Sequence, residues 1–452
     1  MLRIAVIGSG PAGVYAAGAL AQHGDVAVDV LDRLPSPFGL VRYGVAPDHP
    51  KIQSISAALA KVLETPGVRF LGNVEVGTDI QLADLHRFYD GVIFAHGASV
   101  DRRLGIPGED LLGSTSATDF VAWYCGHPDA PQQFTLDAPS VAVIGMGNVA
   151  LDVARILAKS HEDLRSTDAP DHVLAALEAS QVQDIHLIGR RGPAQAKFTT
   201  KELRELGELA GVDVIVDPRE LELDAASRAA VTADPVLKRN LDVLLEWASR
   251  PLAGHPRRVF VRFLQRPVEV LGDTAVTGLA LEGTRLDPEG NATGTGVMSA
   301  LDVQMVLRSV GYRGLPVVGL PFDETTGIVP NVEGRVIRDG EVTPGEYVAG
   351  WIKRGPTGVI GTNKSDAKET VASLLDDAAT LPPATERDPD AVLQLLEERG
   401  ADVVTWDGWR AIQLTEARLG EAQGRARAKI AGRAALLRAA RGDEGGADLD
   451  PQ

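Results

Sequence analysis

The 452-residue chain contains a single cysteine, Cys125. One thiol cannot form the redox pair of a disulfide reductase, and an iron–sulfur cluster needs about four protein ligands, so neither centre can be built within one chain. Any iron–sulfur centre that serves this protein must sit on a partner, and no metal ligand set is expected. Positive charge is also short. The 45 Lys and Arg residues face 62 Asp and Glu, a net charge of −17, which disfavours nonspecific attachment to nucleic acid or a membrane. Residues 4–24 carry no charged side chain, yet Pro11 and the glycines 8, 10, 13 and 18 interrupt them. Strand, turn and helix fit that composition better than a membrane span. No basic stretch precedes the segment and no cleavage-site pattern follows it, so the expectation is a cytoplasmic protein with no targeting peptide and no membrane insertion.

What the chain does have is glycine, set out in two dinucleotide fingerprints. Gly8-Ser9-Gly10-Pro11-Ala12-Gly13 follows the apolar residues 3–7 and leads into an Ala-rich helix expected over residues 14–22. The next strand, residues 27–31, ends at Asp32. Gly145-Met146-Gly147-Asn148-Val149-Ala150 follows the apolar residues 141–144 and opens a helix expected over residues 151–159. Each is the strand–turn–helix of a Rossmann-like βαβ unit. Ile106-Pro107-Gly108 marks a junction and Pro316 to Pro321 a crossing back, while residues 259–264 read as an antiparallel strand between them. The expected fold class is therefore α/β, with two Rossmann-like dinucleotide-binding domains, the first discontinuous: residues 1–104, 105–314 and 315–452. A chain that binds two dinucleotides is built to pass electrons between them.

In such a turn one glycine permits the bend, one lets backbone approach a pyrophosphate, and one allows helix to pack closely on strand. Gly8, Gly10 and Gly13 are the candidates, with the pyrophosphate over the helix start, where unpaired N–H groups favour negative charge. Asp32 follows at the spacing of about 20 residues where a carboxylate accepts hydrogen bonds from a ribose. That spacing suits FAD and NAD equally. Longer runs separate the two. Residues 35–51, Pro-Ser-Pro-Phe-Gly-Leu-Val-Arg-Tyr-Gly-Val-Ala-Pro-Asp-His-Pro-Lys, and residues 350–364, Gly-Trp-Ile-Lys-Arg-Gly-Pro-Thr-Gly-Val-Ile-Gly-Thr-Asn-Lys, resemble the adrenodoxin reductase family of ferredoxin–NADP reductases. So does Gly189-Arg190-Arg191-Gly192-Pro193, and the likeness extends over essentially the whole chain.

The resemblance implies a glutathione-reductase-like arrangement, with FAD on the first fingerprint and NADP on the second. It implies FAD contacts at Ala12, Leu40, Val76, Trp351, Gly358, Val359 and Ile360, with Gly358 also approaching NADP. For Ala12, Leu40 and Val76 the alternative is core packing, and Asp32 departs from the family's more usual glutamate. His49 and Asp152 match a histidine and an aspartate that the family keeps near nicotinamide and flavin. They are the catalytic candidates, expected to influence rate by positioning nicotinamide or managing protons, and the alternatives are a turn histidine and a helix-start acid. Residues 355–361 open a helix whose positive end suits negative charge on reduced flavin. The same stretch approaches a P-loop pattern but has Asn363 where that pattern needs glycine.

At the second fingerprint the resemblance implies NADP contacts from Met146, Gly147, Asn148 and Val149. The next strand, residues 184–189, ends in Arg190-Arg191, where an NAD site would carry a carboxylate. Two guanidiniums can grip a 2′-phosphate through charge-assisted, fork-shaped contacts, each worth roughly 1.5–3 kcal/mol, so NADP is expected over NAD. An insertion over residues 161–182 lengthens the interval, as it does in the family. Thr199 to Glu202 fits a Thr-x-x-Glu capping box, while the family places an acid at this position in the NADP site; both readings of Glu202 stand.

The function implied is that of an FAD-dependent NADPH:ferredoxin oxidoreductase, with a 2Fe–2S or related small iron–sulfur protein as partner and a cytochrome P450 system beyond it. A flavin monooxygenase, a small-molecule reductase or a flavin-binding regulatory protein are the alternatives. An acidic ferredoxin needs a local basic patch, for which Lys238, Arg239, Arg250, Arg257 and Arg258 are candidates. After Pro382-Pro383 the tail reads as helical. Arg425, Arg427, Lys429, Arg433, Arg438 and Arg441 are expected to form a solvated basic face or a docking surface, followed by the acids Asp443, Glu444, Asp448 and Asp450.

Overall fold

The computed structural model describes residues 1–443, so Glu444, Asp448 and Asp450 lie outside the described residues. The chain gathers into two compact units. The first comprises Met1–Val100, Cys125–Ala130 and the chain from Tyr312; the second comprises Asp101–Tyr124 and Pro131–Gly311. The short return of Cys125–Ala130 to the first unit has no signature in the sequence. It is fastened there by the Cys125 thiol, which donates to the Val45 carbonyl oxygen at 3.3 Å, and by the His127 ring, 5.0 Å from that of Tyr43.

In the first unit a seven-stranded sheet places Leu2–Ile7 between Val26–Asp32 and Gly91–Phe94. Val68–Gly72 lies at one edge, and Glu341–Val348, Arg335–Arg338 and Asn331–Val332 follow on the other side. The five contiguous strands from Val68–Gly72 to Glu341–Val348 run parallel. Parallel strands covered by helices on both faces need near-continuous apolar runs, and Ile4, Ala5 and Val6 are fully buried. The helix Pro11–Ala21, with proline at its first position, covers one face together with Ile55–Leu63 and Thr362–Asp376. Leu82–Phe88 and Ala391–Glu398 cover the other.

The second unit carries a six-stranded parallel sheet in which Ser140–Ile144 lies between Asp184–Ile188 and Met305–Arg308. The strand expected to be antiparallel, Arg257–Arg262, instead runs parallel between Asp184–Ile188 and Val212–Val216. Its preceding helices, Ala225–Ala233 and Pro235–Ser249, supply the length that a parallel crossover requires. Antiparallel structure in this unit comes later, as the three strands Gln265–Leu271, Gly278–Leu286 and Ala292–Leu301.

The tail also departs from expectation. Residues 424–432 are not helical; they join the helices Trp406–Ala422 and Arg433–Arg441. Arg425 and Lys429 are buried rather than solvated, because the segment lies along the first unit's core: a Cβ on Gly420 would sit 2.5 Å from the Arg427 backbone. Among the described residues no helix is long and apolar enough to cross a membrane.

Candidate functional site

The first turn leaves the strand Leu2–Ile7 and enters the helix Pro11–Ala21 with glycines of two kinds. A Cβ on Gly8 would lie 2.5 Å from the Ala95 carbonyl oxygen, and one on Gly13 would lie 1.9 Å from that of Gly8. The fold itself demands both. Gly10 has an extended backbone open to any residue (φ −68°, ψ 177°), and among the described residues nothing beyond its own local backbone and chain neighbours lies within 4 Å of where its Cβ would be. A glycine that neither conformation nor packing requires keeps room over a helix start, which is where a pyrophosphate fits. Asp32 ties this turn together: its Oδ2 accepts from the Ser9 N–H at 2.7 Å and the Ser9 hydroxyl at 2.5 Å, and its Oδ1 accepts from the Leu34 N–H at 2.9 Å. A carboxylate offers about four acceptor sites, so roughly one remains for a ribose hydroxyl.

Ala12 is buried beneath Gly350, whose own Cβ would come 2.5 Å from it. Leu40 stands partly exposed at the head of the short helix Leu40–Tyr43, and Val76 lies half-buried against the core on the other face of the sheet. Trp351 is half-buried with its ring 5.5 Å from that of Tyr312. Val359 is 69% exposed and Ile360 partly so. Gly358 has φ +83°, and a Cβ there would lie 2.7 Å from the Thr362 hydroxyl, so closure of its own loop accounts for glycine at that position. Asn363 accepts from Arg354 at 2.9 Å and donates to the Ile360 carbonyl oxygen at 3.3 Å, clamping the loop ahead of the helix Thr362–Asp376. His49, 8% exposed, precedes the short helix Pro50–Gln53, and its carbonyl accepts from the N–H groups of Ile52 and Gln53.

Two residues of this unit escaped the sequence reading. His96 follows the strand Gly91–Phe94 directly beneath Gly8. Its Nε2 lies 3.2 Å from the Leu315 carbonyl oxygen, its Nδ1 is buried with no hydrogen-bond partner among the described residues, and burial pushes the imidazole down to about 4, so it is neutral. Arg354, next to Gly355, likewise has a buried Nη1 with no partner among the described residues. An unmet buried polar atom costs about 1–3 kcal/mol, which a bound polar ligand would relieve. Their available signal was position, immediately after an apolar strand and immediately before the glycine loop.

The second turn repeats the division of glycines. A Cβ on Gly145 would lie 2.2 Å from the Ser309 carbonyl oxygen, whereas Gly147 is extended and has no protein atom within 4 Å of its Cβ position. Its helix runs over Asn148–Ala158, beginning earlier than the sequence suggests. Met146, Gly147, Asn148 and Val149 are all half-buried. Asn148 Oδ1 accepts from the Thr199 N–H at 2.8 Å, and the Met146 carbonyl accepts from the Lys197 N–H at 2.8 Å, stitching the turn to the helix Thr200–Gly207. Only half of the capping box forms, therefore: Thr199 Oγ1 accepts from the Glu202 N–H at 3.4 Å, while the Thr199 N–H has gone to Asn148. The Glu202 carboxylate instead lies 3.7 Å from Arg155, a guanidinium only 2% exposed that donates to Asp152 at 2.7 Å and lies 3.8 Å from Glu205.

Arg190 is exposed and Arg191 half-exposed at the end of the strand Asp184–Ile188. Their backbone carbonyls are fixed, by the Thr284 hydroxyl at 2.7 Å and the Leu264 N–H at 3.2 Å, yet neither guanidinium has an acidic partner among the described residues. Two positioned, unneutralised guanidiniums beside an open glycine turn form a fitting receptor for a phosphate monoester.

The basic patch expected for docking is largely neutralised. Lys238 pairs with Asp242 and Arg250 with Glu246, both at helical i,i+4 spacing. Arg258 pairs with Asp184, and Arg257 donates to the Ala158 carbonyl. Among the described residues Arg239 has no acidic partner, and with Arg204, Trp247 and the acids Glu208, Asp242 and Glu246 it lines a cleft of about 330 Å3.

Residues 2–216 match the pyridine nucleotide-disulphide oxidoreductase family. The chain is 47% identical to an NADPH-ferredoxin reductase, FprA, of Mycobacterium tuberculosis over 96% of its own length and 98% of the relative's. It is 39% identical to a mitochondrial NADPH:adrenodoxin oxidoreductase of Arabidopsis thaliana, covering 97% of this chain and 95% of that one. The solved structure of Mycobacterium tuberculosis FprA in complex with NADPH superposes with a TM-score of 0.91, over 97% of this chain and 99% of the other.

Proposed function

Because the chain belongs to the adrenodoxin reductase-type family of ferredoxin–NADP reductases, we propose that it works as an FAD-dependent NADPH:ferredoxin oxidoreductase. What bound FAD supplies is conversion of a two-electron hydride donation from NADPH into single-electron delivery. The observation that carries this reading is the pair of open turns, each with one glycine, Gly10 or Gly147, that leaves room for a ligand over a helix start. The single cysteine removes the dithiol chemistry that the broader family name suggests.

The backbone of Gly8, Gly10 and Gly13 receives the FAD pyrophosphate and Asp32 its ribose. Leu40, Val76, Trp351, Gly358, Val359 and Ile360 line the path of the rest, and Ala12 supports it from the core. The run 146–149 receives the NADP pyrophosphate, Arg190 and Arg191 its 2′-phosphate, and Glu202 its remaining polar groups. Arg155 holds Asp152 by a direct hydrogen bond, so Asp152 and His49 serve orientation and proton management and set rate rather than permit reaction. The partner is a small acidic iron–sulfur protein that meets the exposed cations Arg204 and Arg239, works in the cytoplasm, and supplies a cytochrome P450-type system.

Anaerobic NADPH should bleach the purified protein, and oxidised ferredoxin should restore its colour faster than oxygen does. Restoration by oxygen at an equal or greater rate would overturn the ferredoxin reading in favour of a monooxygenase.

A further inference from the structure

Glu416, on the helix Trp406–Ala422, is fully buried and accepts from both arms of the Arg42 guanidinium at 2.5 and 3.2 Å, across 374 residues of sequence. The Ile430 N–H also donates to Glu416, at 3.0 Å, and the Lys429 ammonium donates to the Arg42 carbonyl oxygen at 2.8 Å. Arg42 lies in the helix Leu40–Tyr43, its guanidinium 5.0 Å over the Trp409 ring. Just before it, Phe38 meets Trp409 edge-on at 5.9 Å and donates its N–H to the Ser9 carbonyl oxygen. A Cβ on Gly39 would lie 3.1 Å from the Gly10 Cα. Farther along, Arg433 donates to the Arg33 carbonyl oxygen at 2.8 Å and to Asn73 at 2.7 Å, and pairs with Asp129, which also takes Arg33. Residues 416–433 thus grip the loop 33–43 at both ends, once beside the ribose acid Asp32 and once at the short helix packed on Gly10.

We propose that residues 416–433 are a strap that retains FAD by fixing this loop, with Glu416, Lys429 and Arg433 as positioning residues. The proposal rests on the assignment of FAD to the first turn. Moving the loop off Gly10 drags Arg42 from Glu416 and leaves two charges unpaired in the interior, which is strongly unfavourable. A bound dinucleotide is therefore held by contacts far from it in sequence. The same geometry explains why Lys429 is buried rather than part of a solvated face.

The test measures first-order release of flavin from the holoprotein, followed by free flavin fluorescence, together with the thermal midpoint. Lys429→Met should release FAD about tenfold faster, equivalent to about 1.4 kcal/mol, and Glu416→Gln faster still. Lys429→Arg, which keeps a donor for the Arg42 carbonyl, should restore slow release. Leu396→Ala, a cavity variant in the helix Ala391–Glu398 on the opposite face of the same sheet, should lower the thermal midpoint without matching that acceleration. If Glu416→Gln does not fold, the two Lys429 variants decide. Release from Lys429→Met at the wild-type rate, or no faster than from Leu396→Ala, overturns the strap alone. A wild-type protein that neither carries nor takes up flavin overturns the FAD assignment and the strap with it.

Discussion

In the first unit the opening glycine of the turn presses on Ala95, the residue that follows the strand Gly91–Phe94. In the second, Gly145 presses on Ser309, which follows Met305–Arg308. Both turns then present an unforced glycine, Gly10 or Gly147, and both enter a helix of 11 residues. From there they diverge. The first closes with Gly13 against the Gly8 carbonyl, whereas the second carries the buried methyl group of Ala150. Across the neighbouring strand the first turn is tied by Asp32 to Ser9, a polar link that leaves a carboxylate at the ribose position. At the equivalent point of the second, a Cβ on Gly189 would lie 2.5 Å from the Met146 side chain, so the link is apolar and the next residue, Arg190, is free to face a ligand. On the proposed assignment one plan yields two selectivities. A carboxylate suits ribose hydroxyls, and guanidiniums suit a 2′-phosphate.

Exchanging the third positions strains this comparison most. Gly13→Ala puts a methyl group into the Gly8 carbonyl, and overpacking of this kind costs roughly 1–3 kcal/mol or more. The expected result is a lower denaturant midpoint and a protein purified without flavin. The mirror change, Ala150→Gly, should cost only about 1 kcal/mol and leave NADPH binding in place. Equal damage from both changes would show that the turns do not differ as described.

Next in size is Arg190→Ala, which should weaken NADPH binding by the roughly 1.5–3 kcal/mol of a charge-assisted contact, tenfold or more by calorimetry, and leave NADH binding unchanged. Unchanged affinity for both would remove the 2′-phosphate assignment. Gly10→Val separates ligand need from fold need. Its apoprotein should unfold within about 0.5 kcal/mol of wild type, while FAD uptake, read by spectral titration, falls about tenfold or more; a large loss of apoprotein stability would show that the fold needs this glycine after all.

A separate effect concerns acid. Burial pushes His186, on the strand Asp184–Ile188, down to about 4, against about 6.5 when unfolded. As pH falls the unfolded chain takes up the proton first. Stability from the neutral imidazole is therefore complete above about pH 6.5 and lost progressively down to about pH 4, amounting to about 2 kcal/mol after allowance for partial hydration. Urea midpoints across that range should fall less steeply in His186→Leu than in wild type, and parallel slopes would refute the assignment.

The two turns were legible because a fingerprint gathers strand, glycines, helix and closing residue within a few dozen consecutive positions, and each of those carries its own local chemistry. The position of Arg190 and Arg191 at a strand end could be read in the same way. Glu416 could not, since charge in a sequence argues for exposure and its partner Arg42 lies 374 residues away. Lys429 and Arg425 were misread as a solvated face for the same reason. The direction of Arg257–Arg262 was lost because a strand's own residues do not encode which neighbours it joins; the preceding helices decide that. His96 and Arg354 are recognisable only when the neighbours that fail to satisfy them are known.

The most direct measurement is the visible spectrum of the purified protein under anaerobic titration with NADPH and NADH. One FAD per chain should be present, bleached by NADPH at far lower concentration than by NADH, and the colour should return on addition of oxidised ferredoxin. A colourless protein that takes up no flavin, or a flavin that the two nucleotides bleach equally well, would contradict the assignment of FAD to the first turn and NADP to the second.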